Sequence, residues 1–143
     1  MDNYKETYEL YQRFEKNAYY DKIHFFESNS RIIQYLDDHE SLGMSVDYII
    51  CLFEVGRYYK LLSRIDEIIE VVVDCNFYIY DGEDPFVKLL FIKAAALFNL
   101  RKYAEARKLV KSIININPQY PYAKIFYRKI LWNQALEFLG IKI

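Results

Sequence analysis

An internal repeat constrains the fold of this chain more than any other feature. The segments LFEVGRYYKLLSRIDEII, residues 52–69, and LFNLRKYAEARKLVKSII, residues 97–114, align without a gap. Both begin with Leu-Phe, place a basic residue before a tyrosine at the seventh position, and end with Ile-Ile. Their apolar residues recur every three or four positions, which is the spacing of one face of an α-helix. The repeat predicts two copies of one helix-turn-helix hairpin.

The rest of the chain carries the same helical spacing. Its 143 residues include only four glycines and three prolines, so few residues interrupt a helix. We predict an all-α protein of about seven helices, over residues 2–16, 19–38, 45–56, 58–73, 85–100, 103–115 and 121–140. In the second of these helices, ESNS at residues 27–30 is a weak point where we expect a kink or a break.

Capping residues set several of these boundaries. Ser45 is a favourable N-cap, with Asp47 in the first turn that would follow it. Gly56 is the residue type favoured just past a helix C-terminus. Asp84 followed by Pro85 combines a cap with a proline at the first helical position. These signals predict one helix that begins at Ser45 and ends at Gly56, and another that begins at Asp84-Pro85.

The second hairpin resembles the tetratricopeptide repeat, a helix-turn-helix unit of 34 residues. The matching residues are Ala94, Leu97, Tyr103, Ala106, Ile113 and Pro118. The resemblance implies an antiparallel helix-pair solenoid in which small residues such as Ala94 and Ala106 lie where helices approach closely. It implies one domain over residues 1–143, with approximate units at residues 2–40, 45–73 and 85–118 and a capping helix at 121–139.

The match to this family is uneven. Tyr58 and Tyr103 are 45 residues apart, eleven more than one period of 34. The irregular segment between Val73 and Pro85 accounts for the excess. Where the family prefers alanine and a closing proline, the first hairpin has Leu61 and Val73.

No constellation in the sequence indicates catalysis or metal binding. Two cysteines, Cys51 and Cys75, lie 24 residues apart without a CxxC pair, and the chain has two histidines. These are too few ligands for a structural zinc site. No glycine-flanked serine accompanies His24 or His39, and no glycine-rich phosphate loop is present. We predict a protein that is not an enzyme, with no cofactor and no metal.

The acidic run YDGEDP, residues 80–85, lacks the alternating ligands of a calcium loop and is better explained as a turn followed by a helix cap. RKYAEARKLVK, residues 101–111, is basic around a tyrosine. The chain nevertheless has 19 Lys and Arg against 20 Asp and Glu, which argues against nucleic acid as a partner. No secretory signal or membrane span is recognised in the sequence, so we expect a soluble, cytoplasmic protein.

In the tetratricopeptide family the first helix of each pair lines a concave surface that binds an extended peptide or a helix. Carried over by register, the resemblance implies an apolar, aromatic groove with these partner-binding residues: Val46, Ile50, Phe53, Lys88, Phe91, Phe98, Asn99 and Trp132. The predicted function is that of a protein–protein interaction module, or scaffold, which binds a peptide or helix of another protein.

Two alternatives stay open at the sequence level. The aromatic residues of the groove could be covered by the chain's own helices or by the aromatic segment Cys75–Glu83. The chain would then be a self-associating structural or regulatory subunit with no free peptide site. The last predicted helix has an apolar stripe and the only tryptophan, so a homodimer through this helix is also possible.

Overall fold

The computed structural model describes residues 3–36, 38–74 and 84–141. These residues are all-helical, as the sequence predicts, and the helices pack against others near them in the sequence. Within the described ranges the helices are α1 (Asn3–Gln12), α2 (Tyr19–Ser28), α3 (Ser30–Ile33), α4 (Asp38–Glu54), α5 (Tyr58–Asp74), α6 (Pro85–Asn99), α7 (Tyr103–Ile116) and α8 (Ala123–Phe138). The chain divides into two compact units, residues 1–79 and 80–143. The predicted insertion Cys75–Glu83 lies outside the described residues.

The first unit is organised around α4, which packs against α2 and α5, while α1 packs against α3. Its core includes Ile23 of α2, Ile49 and Leu52 of α4, and Leu61 and Ile65 of α5, each no more than 2% exposed. Burial of such a side chain is worth roughly 1.5 to 3 kcal/mol. The predicted apolar stripes therefore do hold the helices of this unit together.

The predicted start of the third helix at Ser45 is wrong, because α4 begins at Asp38. Ser45 lies inside the helix, where its hydroxyl donates to the Ser41 carbonyl oxygen at 2.9 Å instead of capping. Gly43 within a helix costs about 1 kcal/mol relative to alanine. Next to it, Met44 is only 1% exposed, and its burial outweighs that cost.

The expected break in the second helix is confirmed. Helix α2 ends at Ser28, and α3 begins at Ser30 and is a single turn that ends at Ile33. Asn29 lies between them, with its side-chain amide donating to the Phe25 carbonyl oxygen at 2.8 Å. This local hydrogen bond competes with the helical ladder, as asparagine side chains commonly do.

The second unit contains α6, α7 and α8, with α7 packed against both of the others. Asp84 caps α6 as predicted, since its Oδ1 accepts a hydrogen bond from the Phe86 N–H at 3.0 Å. Ala94 and Ala106 are fully buried. A methyl side chain at a buried position is small enough for neighbouring helices to pack closely.

The turns of the two hairpins have the same backbone geometry. In the first, the Arg57 N–H donates to the Leu52 carbonyl oxygen at 2.9 Å, and in the second the Lys102 N–H donates to the Leu97 carbonyl oxygen, also at 2.9 Å. The residue before each donor is left-handed, with φ of 78° in the first hairpin and 61° in the second. Both turns are therefore helix ends of the Schellman type, and the hairpin predicted from the repeat is confirmed twice.

Candidate functional site

Helix α6 contains a run of three buried alanines, whereas two of its phenylalanines are partly exposed. Ala94, Ala95 and Ala96 are all buried, at 0%, 8% and 0% exposure. Phe91 and Phe98 are seven residues apart, two helical turns, and so lie on one side of α6. Both are only half-buried. Small residues thus pack α6 against its neighbours, and its large aromatic residues remain partly accessible.

Phe91 and Phe98 belong to a continuous row of five rings, which we call the aromatic row: Tyr120, Phe91, Phe126, Phe98 and Tyr103. Successive ring centroids are 5.6, 5.3, 5.4 and 5.4 Å apart. The two pairs that include Phe126 are edge-to-face, with interplanar angles of 67° and 65°, an arrangement that aromatic pairs prefer. The other two pairs are tilted, at 47° and 58°. Phe126 of α8 therefore lies between the two phenylalanines of α6.

Three polar residues belong to α6 and α8, the helices that contribute three of the five rings. The Lys129 Nζ lies 5.3 Å from the centroid of the Phe98 ring, a cation–π distance. The Asn99 side chain donates to the Ala95 carbonyl oxygen at 2.7 Å, and the buried Asn133 donates to the Lys129 carbonyl oxygen at 2.9 Å. The amide donors are thus used within their own helices, and Lys129 supplies the positive charge next to the rings.

Two apolar residues of α8 are far more exposed than the row itself. Trp132 is 66% exposed and Ile125 is 64% exposed. They are seven residues apart and so lie on one side of α8. Lys88, on α6, is half-buried. Of the predicted groove residues, the second unit thus contains Lys88, Phe91, Phe98, Asn99 and Trp132, and it brings the two phenylalanines into one cluster with Lys129.

The other three predicted residues are on α4, in the first unit. Val46 is 5% exposed and belongs to the core, so it has no surface to offer a partner. Ile50 and Phe53 are half-buried. Phe53 packs edge-to-face on Tyr58 with 5.6 Å between the ring centroids. The equivalent pair of the second hairpin, Phe98 and Tyr103, is also in contact, at 5.4 Å.

Sequence reasoning missed Phe126 and Tyr120 as members of the row. The available signal was weak, because the register of the last helix against the earlier ones is not fixed by the repeat. Tyr120 lies in the turn after Pro118, where helical periodicity gives no information. Their positions follow from the packing of α8 on α7.

A polar cluster in the first unit was also missed, because its members come from three helices. Tyr48 of α4 donates to Glu27 Oε2 of α2 at 2.7 Å, and Lys60 of α5 forms an ion pair with the same carboxylate. Burial opposes ionisation of Glu27, but the hydrogen bonds from Lys60 and Tyr48 outweigh it and lower its pKa. Burial and the bond to Glu27 raise the pKa of Tyr48. This carboxylate is occupied by its two partners and is suited to joining helices.

One further carboxylate and one thiol are perturbed by burial. Asp47 Oδ2 lies 3.3 Å from Lys22 Nζ, yet desolvation raises the pKa of Asp47 to about 6. Burial, with the negative charge of Asp47 one turn away, raises the pKa of Cys51 to about 12. A thiol that stays protonated at neutral pH is a poor nucleophile, so Cys51 acts as a small core residue.

Among residues 3–36, 38–74 and 84–141, no three His, Cys, Asp or Glu side chains are grouped so that they could hold a metal ion. In the same ranges, every helix is too short or too polar to cross a bilayer.

Comparisons with models of known protein families, with curated proteins and with solved structures find no match to this chain.

Proposed function

We propose that this chain is a protein–protein interaction module that binds a peptide or helix of a partner protein on the second unit. The observation that carries the proposal is the exposure of Trp132 and Ile125 on α8. Ile125 precedes Phe126 of the aromatic row in the sequence, and Trp132 follows Lys129 by three residues, about one helical turn. A large apolar side chain that is two-thirds exposed gains free energy when a partner covers it. Tryptophan is also enriched among residues that dominate binding energy.

The chemistry of the surface defines the kind of partner. Four rings of the aromatic row are half-buried and the fifth, that of Tyr103, is buried. The exposed Trp132 has a large apolar ring system with one hydrogen-bond donor. The Lys129 Nζ lies 5.3 Å from the centroid of the Phe98 ring and places a positive charge next to the row. A peptide or helix with two or three apolar side chains and a carboxylate near one end is complementary to this surface. The hairpin geometry and the sequence resemblance to tetratricopeptide repeats support the same role, that of a scaffold, and we propose a cytoplasmic setting for it.

The single tryptophan provides a direct test, because it lies in the proposed site. A library of short amphipathic helical peptides, with and without acidic residues, is titrated against the protein while tryptophan emission is recorded. We expect a binding peptide to cover Trp132 and shift its emission to shorter wavelength. A fluorescent label on that peptide then allows its affinity to be measured for variants that lack the tryptophan.

Trp132→Ala is expected to weaken binding of the labelled peptide by at least about tenfold, since a central aromatic residue contributes about 1.4 kcal/mol or more. Tyr20→Ala is the matched control, because Tyr20 in the first unit is 64% exposed, nearly the same as Trp132. Equal affinities for the two variants, or no binding peptide in the library, would contradict the proposal.

A second candidate function is that of a self-associating subunit with no free peptide site. One observation favours it: Phe126 of α8 already lies 5.3 Å from Phe91 and 5.4 Å from Phe98, so the chain itself fills part of the aromatic groove. The peptide titration separates the two candidates, because a filled groove leaves the tryptophan emission unchanged by every peptide.

A further inference from the structure

Helix α8 has a second exposed apolar side, separate from the one that contains Trp132. Leu131, Ala135 and Phe138 follow one another at steps of four and three residues and so form a strip along one side of the helix. All three are exposed, Leu131 at 38% and Phe138 at 91%. Together with the adjoining Leu139, 68% exposed, they line an open apolar groove of about 500 Å³. We call Leu131, Ala135 and Phe138 the outer strip.

The outer strip is distinct from the packed side of α8 and from the proposed peptide site. The packed side consists of Ala123, Ile130 and Asn133, which are buried. Trp132 lies about 100° around the helix from Leu131. The outer strip is centred about 120° around the helix from the packed side, and exposed apolar side chains gain free energy when another surface covers them. One side of α8 is covered within the second unit, and the other is open.

The end of α8 repeats the way in which α4 and α6 end. The Ile141 N–H donates to the Leu136 carbonyl oxygen at 2.9 Å, and Gly140 is left-handed with φ of 76°. The same bond length and a left-handed residue close α4 and α6. Each of those two helices has another helix packed along it, α5 on α4 and α7 on α6. Helix α8 likewise has α7 packed along it, and its outer strip remains exposed.

The charges of α8 indicate which helix could lie there. Lys124 and Arg128 are exposed in its N-terminal half, and its only carboxylate, Glu137, lines a different cleft together with Arg101 and Lys102. The outer strip lies in the C-terminal half of α8, close to the negative end of the helix dipole. A parallel copy of α8 would bring like charges together. An antiparallel copy instead brings Lys124 and Arg128 to the negative end of the other helix.

Steric complementarity favours the same arrangement. In an antiparallel pair centred near residue 133, Leu131 of one copy faces the small Ala135 of the other, and Arg128 faces Phe138, to which it can form a cation–π contact. The contact is the same in both directions, as a two-fold symmetric interface requires. We therefore infer that the outer strip of α8 is a self-association surface, on which a second copy of this chain packs its own α8 in antiparallel orientation.

Sedimentation velocity over a wide range of protein concentration tests this inference. The unmodified protein is expected to shift from monomer to dimer as the concentration rises. Phe138→Glu is expected to raise the dimer dissociation constant by at least about tenfold, because it places a charge in the strip. Since Phe138 is 91% exposed, this variant should keep its fold, which circular dichroism verifies. Leu131→Glu should have the same effect.

The matched control is Ile116→Glu, which introduces the same charge at a 52% exposed apolar residue of α7. It should leave the dissociation constant unchanged. A protein that stays monomeric at all concentrations would overturn the inference, as would a dimer that is equally weakened by Ile116→Glu or unaffected by Phe138→Glu.

The antiparallel orientation has its own test. Arg128→Glu places a carboxylate beside the C-terminal carbonyl groups of the other helix, so it should weaken the dimer by at least about threefold. Lys108→Glu, at an exposed basic residue of α7, is the charge-matched control and should have no effect. If the two variants behave alike, the antiparallel arrangement is wrong. Phe138→Glu should still show the Trp132 emission shift with a bound peptide, so failure of this inference and failure of the proposed function give different results.

Discussion

The two hairpins, α4 with α5 and α6 with α7, share one backbone turn but differ in the side chains around it. Gly56 is left-handed in the first turn, and an arginine, Arg101, takes the same conformation in the second. Leu61 occupies the position that Ala106 occupies in the second hairpin, and each is fully buried. The closing hydrogen bonds and the buried positions are thus common to both hairpins, whereas the residue size at an equivalent buried position differs between them.

The difference in size goes with a difference in surroundings. The first unit packs Leu61 in its core and joins α2, α4 and α5 through the Glu27 carboxylate. The second unit has alanines at its helix contacts and a row of aromatic rings at its surface. The two units therefore pack different side chains around the same hairpin. Exchanging the residues at equivalent positions should leave a cavity in the first unit and overpack the second.

The largest effect is expected for Leu61→Ala. Leu61 is 0% exposed, and truncation of a buried leucine removes apolar contacts and leaves a cavity. We expect the free energy of unfolding to fall by about 2 to 5 kcal/mol, measured by chemical denaturation. A loss below about 1 kcal/mol would show that this position tolerates the residue of the second hairpin, and that the two cores are interchangeable.

The reciprocal change, Ala106→Leu, should be smaller but still destabilising. Ala106 is 0% exposed, and three additional carbon atoms must displace α6 or α8. We expect a loss of about 1 to 3 kcal/mol by overpacking. Ala104→Leu is the control on the same helix, because Ala104 is exposed. Equal melting temperatures for Ala106→Leu and the control would contradict tight packing of the helices around Ala106.

Asp47 should give the first hairpin a pH effect that has no counterpart at the equivalent position of the second hairpin, which is Ile92. Desolvation raises the pKa of Asp47 from 3.8 to about 6 in the folded protein, so the folded state holds this proton more tightly than the unfolded state. Its contribution to stability is therefore full below pH 3.8 and is lost as the pH rises through about 6. We expect the size of this contribution to be on the order of 1 to 2 kcal/mol, because the side chain is partly solvated.

The measurement compares the pH dependence of unfolding for the unmodified protein and Asp47→Asn. Glu27 has a lowered pKa and so acts in the opposite direction, losing its contribution as the pH falls. Because both proteins retain Glu27, the difference between their curves isolates Asp47. A difference curve that is flat between pH 4 and pH 7 would contradict the desolvation of Asp47 in the folded protein.

The smallest effect should come from the left-handed residues of the turns. Gly56→Ala should cost about 1 kcal/mol, because a side chain is disfavoured at its φ of 78°. Arg101→Gly should gain up to about 1 kcal/mol by relieving the same strain. Thermal unfolding of both variants tests whether the turns are equivalent. Shifts of the same sign would show that the turns differ in some way beyond this residue.

Much of the fold could be predicted because helix formation in this chain follows local rules. The apolar spacing, the glycine after α4 and the Asp84-Pro85 cap each act within one or two turns, and each is confirmed by the structure. The start of α4 was mispredicted because a strong local signal, Ser45, competes with burial of Met44. Burial depends on neighbouring helices, which a local pattern does not contain.

The candidate site was predictable only in part. Phe91 and Phe98 could be assigned to one surface from their spacing alone, and the structure does place them in one cluster. Their contact with Phe126 depends on how α8 packs against α7. The Glu27, Tyr48 and Lys60 cluster likewise joins residues from three helices, and no sequence spacing relates them.

By itself the sequence determined the all-helical class, the repeated hairpin and its turn, because hydrogen bonds and side-chain periodicity within a helix act over a few residues. Only the tertiary structure decided which residues are accessible: Val46 is buried, Phe126 fills the space between two rings, and the outer strip of α8 is open. Accessibility is a property of the contacts between helices. It depends on distances that residues far apart in the chain acquire only when they pack together.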